Sequence, residues 1–258
     1  MRSLIKKIAK SKLALYMRNT INFRPIYLHT KEAKNFTTVS DAFLWRTDNG
    51  YKTIFKYSDI LNLFYKIKNS WVEIHFFSKD NKLIKVEKFT SLDLSNELII
   101  NKEFLNNIED FGIFYIYHFS QNNENLNDKS IISNRCYLGY SQNNNLYSFV
   151  HGNILAKYTN INAKEKILSD IVKTSLVDNQ IYTIQKYFKE FTKNELFFIN
   201  PTSKKIKFYL ENIKHELNPH CGKMLLTKSD IITIKSNCLF FRPTVFSYKG
   251  EYVDVHHS

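Results

Sequence analysis

The chain has 258 residues, 43% of them hydrophobic, which is length for one large or two small domains and enough apolar material for a packed core. Six Gly and four Pro exclude collagen-like and low-complexity chains, and no apolar run approaches the ~20 residues that span a bilayer. The formal charge of +13 points towards anionic partners, but Lys outnumbers Arg by 31 to 6 and Ala occurs six times, the bias of AT-rich coding, so part of the basicity is background.

The charge is concentrated at the start. Residues 1–34 carry nine Lys or Arg against Glu32, leaving only +5 for the other 224 residues. Leu4, Ile5, Ile8, Ala9, Leu13, Tyr16 and Met17 recur at three- and four-residue steps opposite Lys6, Lys7, Lys10 and Arg18. This spacing predicts a basic amphipathic helix that caps the body or lies on an anionic membrane surface. A transit peptide is also basic and poor in acids, whereas a secretory signal lacks its apolar stretch here. Cys136, Cys221 and Cys238 are an odd number without C-x-x-C spacing, so reduced thiols and a cytoplasmic, optionally membrane-peripheral, location are expected.

From residue 35 onward, aromatic strands alternate with polar turns. Phe43–Phe55 and Tyr137–Phe149 each read as a β-hairpin, with Asp48-Asn49-Gly50 and Asn143-Asn144-Asn145 as turns that accept positive φ. A second pair of blocks, Trp71–Phe89 and Leu196–Leu210, again places two strands around a turn, and Gly112–Phe119 and Cys238–Phe246 close each half. The expected fold is mainly β: two tandem, duplicated antiparallel β-sandwich modules over residues 35–130 and 131–258, or one larger sandwich of two similar halves. The offset between matching blocks grows from 94 to about 125, which locates an insertion at residues 158–193, where Ile167, Leu168, Ile171 and Val172 predict a helix. Gln121–Asp128 serves as the linker, and the absence of a shorter repeat period argues against solenoids and propellers.

Motifs for chemistry are mostly missing. The chain has no G-x-x-x-x-G-K-[ST], G-x-G-x-x-G, H-E-x-x-H or G-x-S-x-G, which disfavours the enzymes that depend on them; a glycosidase needs only two carboxylates and leaves no such trace. Trp45-Arg46-Thr47-Asp48 places an Arg and an Asp beside a large aromatic at a hairpin, a pairing that stacks sugars or grips anions. His118 interrupts an apolar strand, where a core histidine is the default. His151 and Asn153 flank Gly152 and offer a donor and an acceptor at one spot. Near the C-terminus, Pro243 places Arg242 on an edge strand or bulge, and Asp254 and His256 alternate onto one strand face, leaving His257 on the other. An Asp–His pair can orient an imidazole for acid–base work, but no ligand spacing for a metal accompanies it, and no cofactor is expected.

The leading expectation is a non-catalytic binding or assembly protein for a glycan or protein partner, using Trp45, Arg46, Asp48, Asn153 and Arg242, with residues 1–34 towards a membrane or partner. The alternative is a carbohydrate-active or other hydrolytic enzyme with His118, His151, Asp254 and His256 gathered between the two halves. Nucleic-acid binding comes third, because the aromatics fall in strand patterns and no RNA-binding signature accompanies them.

Overall fold

A computed structural model describes residues 11, 13, 14, 17, 37–121, 131–133, 136–152, 155–161, 169–172, 174, 180–185, 190–238 and 241–257. In chain order the strands are β1 (Thr37–Asp41), β2 (Phe43–Arg46), β3 (Tyr51–Tyr57), β4 (Ser70–Ser78), β5 (Leu83–Phe89), β6 (Asn96–Ile100) and β7 (Phe111–Ser120). Then come β8 (Ile131–Ser133), β9 (Tyr137–Gln142), β10 (Ser148–His151), β11 (Leu155–Asn160), β12 (Ser169–Asp170) and β13 (Gln180–Gln185). The last seven are β14 (Lys193–Ile199), β15 (Ile206–Leu210), β16 (Ile213–Leu217), β17 (Gly222–Thr227), β18 (Ile231–Ser236), β19 (Thr244–Lys249) and β20 (Tyr252–His257). A short helix α1 (Ile60–Tyr65) follows β3, started by the Asp59 carboxylate accepting from Asn62 N at 3.1 Å and ended by Lys66 at φ 59°.

These strands form five four-stranded sheets, ordered β12-β11-β1-β8, β10-β9-β3-β6, β13-β18-β15-β16, β17-β14-β19-β20 and β2-β7-β4-β5, arranged as the blades of a five-bladed β-propeller. This corrects the two tandem β-sandwich modules expected from the sequence. Each sheet has one pair of consecutive strands at an edge (β11-β12, β9-β10, β15-β16, β19-β20 or β4-β5), and its other two strands come from elsewhere in the chain. No blade is four consecutive strands, so no blade-length repeat is written into the sequence. Among the described residues one large apolar core runs from Ala42 to Val255, and a small satellite cluster of Ile60, Leu61, Ile67 and Ile161 lies at α1.

Two of the four expected hairpins form. β4 pairs with β5, and β9 with β10, with Asn81 (φ 62°), Asn143 (φ 51°) and Asn144 (φ 61°) taking the left-handed conformations of their turns. The other two are corners between sheets. All four β2 residues are buried, so the strand has no solvent face; β2 pairs with β7, while β3 pairs with β6 and β9. The Thr53 hydroxyl stitches the corner, accepting from Arg46 N at 3.0 Å and donating to Arg46 O at 3.1 Å. At the other corner Asn200, wholly buried, donates to the carbonyls of Lys204, Leu217 and Asn218 and accepts from Thr202 N and Oγ1, so Asn200-Pro-Thr-Ser turns the chain from β14 into a different sheet from β15. The matched blocks therefore do not pair alike: β4 neighbours β5, whereas β14 neighbours β17.

Both expected helical segments are also corrected. Within 158–193, Ser169 and Asp170 pair with Tyr158 and Lys157, Ile171 N donates to Ala156 O at 2.9 Å, and Thr174 bridges Cys238. Backbone groups committed to a neighbouring strand cannot close helical turns; the start of the expected helix, residues 163–168, lies outside the described residues. Of residues 1–34 only Ser11, Leu13, Ala14 and Met17 are described. Leu13, Ala14 and Met17 are helical, yet Leu13 and Met17 are 70% and 59% exposed, so these two side chains do not pack on the body. No described helix is long and apolar enough to cross a membrane.

Candidate functional site

The Trp45–Asp48 stretch is interior. Trp45 is fully buried, donates from Nε1 to Phe77 O at 2.9 Å, and fills the space left by Gly112, where a Cβ would sit 2.6 Å from the indole. It has no ring face to offer a ligand. Arg46, 1% exposed, is held by Asp48 (Nε–Oδ1 2.8 Å, Nη2–Oδ2 3.0 Å) and by Glu195 (Nη1–Oε2 2.7 Å). Its guanidinium lies 3.8 Å from the centre of the Tyr51 ring and 4.9 Å from those of Phe197 and Phe246. Burial opposes the charge, but Asp48, Tyr248 and Glu195 outweigh it and hold the group firmly protonated. Tyr248 donates to Glu195 and accepts from Tyr51 at 2.8 Å, and burial pushes the Tyr51 phenol up to about 12. Burial would raise Glu195, yet Arg46, Tyr248 and Lys193 together keep it below the usual carboxylate range. This cage ties β2 and β3 to β14 and β19.

The C-terminal candidates fall into two separate pairs. β10 packs against β20, and Ser148 Oγ accepts from Val255 N at 2.9 Å. His151 Nδ1 lies 3.0 Å from Gly152 O and 3.1 Å from His257 Nε2, with the two rings edge to face at 4.4 Å. A carbonyl can only accept, so we assign the proton to His151 Nδ1 and a free lone pair to His257 Nε2. Burial, His151 and Arg242 press the His257 imidazole down to about 4, which keeps it neutral. On the other face of β20, His256 Nδ1 is 3.4 Å from Asp254 Oδ2 and holds that carboxylate below its ordinary range. Ser148 Oγ is 3.4 Å from Asp254 Oδ1. The hydroxyl thus meets the carboxylate rather than an imidazole, which is the wrong order for an activated serine nucleophile.

His118 stands apart. It is fully buried in β7 opposite Val72, and burial lowers its imidazole to about 4. Arg242, half-buried, is close enough to His257 for its charge to act there. Asn153 lies outside the described residues.

Next to the histidines is a surface that the sequence reasoning missed. The solvent face of β10-β9-β3-β6 carries Glu97, Lys56, Tyr137 and His151 in one cross-strand row, and Ile99, Ile54, Gly139 and Phe149 in the next. Phe149 packs directly on Gly139: a Cβ there would fall 2.6 Å from the ring. Tyr137 and Phe149 remain 56% and 47% exposed, with Tyr147 at 6.1 Å from Phe149. Lys56 Nζ sits 5.4 Å from the Phe149 ring and 3.2 Å from Glu97. The signal was in the hairpin's alternation, in which Tyr137 and Gly139 face Phe149 and His151. No protein-family profile matches the chain, and no curated protein sequence matches it.

Proposed function

We propose that the protein is a non-catalytic binding protein that recognises a glycan on the solvent face of β10-β9-β3-β6. The observation that supports this most is the aromatic platform: Phe149 seated on Gly139 beside the exposed Tyr137, with Lys56, Glu97 and His151 at its margins. A pyranose presents an apolar C–H face and a rim of hydroxyls, so exposed rings take the face while flanking charged and imidazole groups take the rim. Because Lys56 and Glu97 neutralise one another, the surface suits an uncharged sugar better than an anion.

A glycan array followed by calorimetry on the full chain tests the reading. Phe149→Ala or Tyr137→Ala is expected to weaken the best-bound glycan at least tenfold while the far-UV spectrum stays unchanged. Binding that survives both substitutions, or an array on which nothing binds, refutes it.

The meeting of His151 and His257 favours a second reading, an acid–base hydrolytic site at the β10/β20 junction. Under it, release of a chromogenic leaving group from aryl glycosides or esters would depend on pH and disappear in His257→Gln. A flat response to both would dismiss it.

A further inference from the structure

Helix α1 carries more apolar surface than the body takes up. Five of its six residues are aliphatic or aromatic, Ile60, Leu61, Leu63, Phe64 and Tyr65, with only Asn62 polar. Ile60, Leu61 and the following Ile67 turn inward against Ile161, and Tyr65 packs in part on the same cluster. Leu63 and Phe64 are left outside, 37% and 69% exposed, and Phe64 is the most exposed aromatic side chain among the described residues. The turn is held in this shape from both ends. The buried Asp59 carboxylate accepts from Asn62 N and from the Ser70 hydroxyl, each at 3.1 Å, while Lys66 N and Ile67 N donate to Asn62 O and Leu61 O, both at 3.1 Å. A lone exposed apolar side chain is ordinary. An aliphatic and an aromatic side chain presented together on an anchored turn form a tip that can enter an apolar phase.

Positive charge accompanies the tip. Lys66 and Lys68 are exposed beside it, Lys66 Nζ lies 3.3 Å from Leu63 O, and residues 60–69 contain no Asp or Glu. Ile161, which packs under α1, directly follows Asn160, and Asn160 is opposite Thr37 in the pairing of β11 with β1. α1 therefore sits at the end of β1 by which the N-terminal segment is attached, and that segment carries nine Lys or Arg against one Glu in residues 1–34. Of its few described side chains, Leu13 and Met17 are exposed as well. Among anionic partners, a bilayer suits both features together. Single-stranded nucleic acid takes cations and ring faces, but it has no place for Leu63. A stable protein interface buries about 800 Å² on each side, more than two side chains supply. At an anionic membrane, Leu and Phe dip below the headgroups, lysines keep their ammonium groups at phosphate level, and the negative surface potential attracts a neighbouring basic segment.

We propose that α1 is a membrane-docking tip: Leu63 and Phe64 enter the interface of an anionic phospholipid bilayer, with Lys66, Lys68 and the basic residues of 1–34 against its headgroups.

The test sediments the full chain with vesicles of phosphatidylcholine alone and of phosphatidylcholine with phosphatidylserine. Binding is expected only where phosphatidylserine is present, and at least tenfold weaker when Leu63→Ser and Phe64→Ser are combined; the far-UV spectrum should match the parent, because neither side chain is buried. Phe64→Trp reports insertion directly, since its emission should move to the blue on addition of the anionic vesicles by more than the parent's does. Equal binding to both kinds of vesicle, a double variant that sediments like the parent, or no added blue shift overturns the proposal. Failure to bind either vesicle overturns it too, and retention of a single-stranded oligonucleotide in that case assigns the basic segment to nucleic acid.

Discussion

Replacing Arg46 by Met removes a charge that two carboxylates face from inside the protein. Glu195 is only 5% exposed, and after the substitution its remaining cation is Lys193, at 2.9 Å and half in solvent. Asp48 is 22% exposed and rehydrates more easily. The methionine keeps the apolar contact with Tyr51, Phe197 and Phe246, so the loss is electrostatic rather than one of volume. Breaking one side of a buried pair typically costs about 3–5 kcal/mol; the Lys193 contact places this case near ~3 kcal/mol, a large fraction of the roughly 5–15 kcal/mol that holds a domain together. Urea unfolding followed by tryptophan fluorescence and far-UV circular dichroism measures it. Since the core is continuous and the cage ties β2 and β3 to β14 and β19, the parent should unfold in one transition by both probes. Adding Glu195→Gln to Arg46→Met removes the stranded charge while leaving Tyr248 an acceptor, so the double variant should recover about 1–2 kcal/mol of the loss. An Arg46→Met protein within about 1 kcal/mol of the parent, or a double variant worse than the single, would refute the argument.

Acidification should destabilise the fold. His118 and His257 both have folded pKa values lowered to about 4, so the unfolded chain takes up their protons first, and stability present above the ordinary imidazole value of about 6.5 is lost as the pH falls towards 4. The fully buried His118 contributes up to about 3 kcal/mol of that loss, and His257, partly in solvent, on the order of 1 kcal/mol after screening. Melting temperature against pH, with His118→Gln as comparison, reads this, and identical slopes in the two proteins would count against it. Gly112→Ala should cost about 1–3 kcal/mol, because the new methyl would lie 2.2 Å from Phe77 O and 2.6 Å from Trp45; an unchanged urea midpoint would show that β2 and β7 part more readily than their packing implies.

What the sequence discloses of this fold follows the distance over which its strands pair. The β4-β5 and β9-β10 hairpins are legible because their alternation and asparagine turns are local, and both form. β2-β7, β3-β9 and β14-β19 join segments far apart in the chain, and nothing in either partner names the other. Phe43–Arg46 misled for a related reason. An Arg two residues before Asp-Asn-Gly has the composition of an exposed tip, yet two carboxylates and three rings make burial of its guanidinium tolerable, and one of those carboxylates, Glu195, lies 149 residues further on. The similar halves are a similarity of composition, aromatic strand and polar turn, that the pairing of β14 with β17 does not share. At the candidate site, alternation along β20 correctly separated His256 from His257, but could not say which of them would meet His151.

Charge and site also part company. Several cations of the described body are spent in pairs: Arg46 on Asp48 and Glu195, Lys157 on Asp170, and at the surface Lys56 on Glu97. Pairing of this kind leaves little field to draw an anion to the β10-β9-β3-β6 face, whereas unpaired surface charge would act over the roughly 8 Å that physiological salt permits. Eight of the thirteen net charges belong to residues 1–34. The basic character that first brings nucleic acid or membrane to mind is therefore a property of the N-terminal segment. The glycan surface proposed on β10-β9-β3-β6 pairs its own charges, so selection there would rest on ring faces and hydroxyl groups.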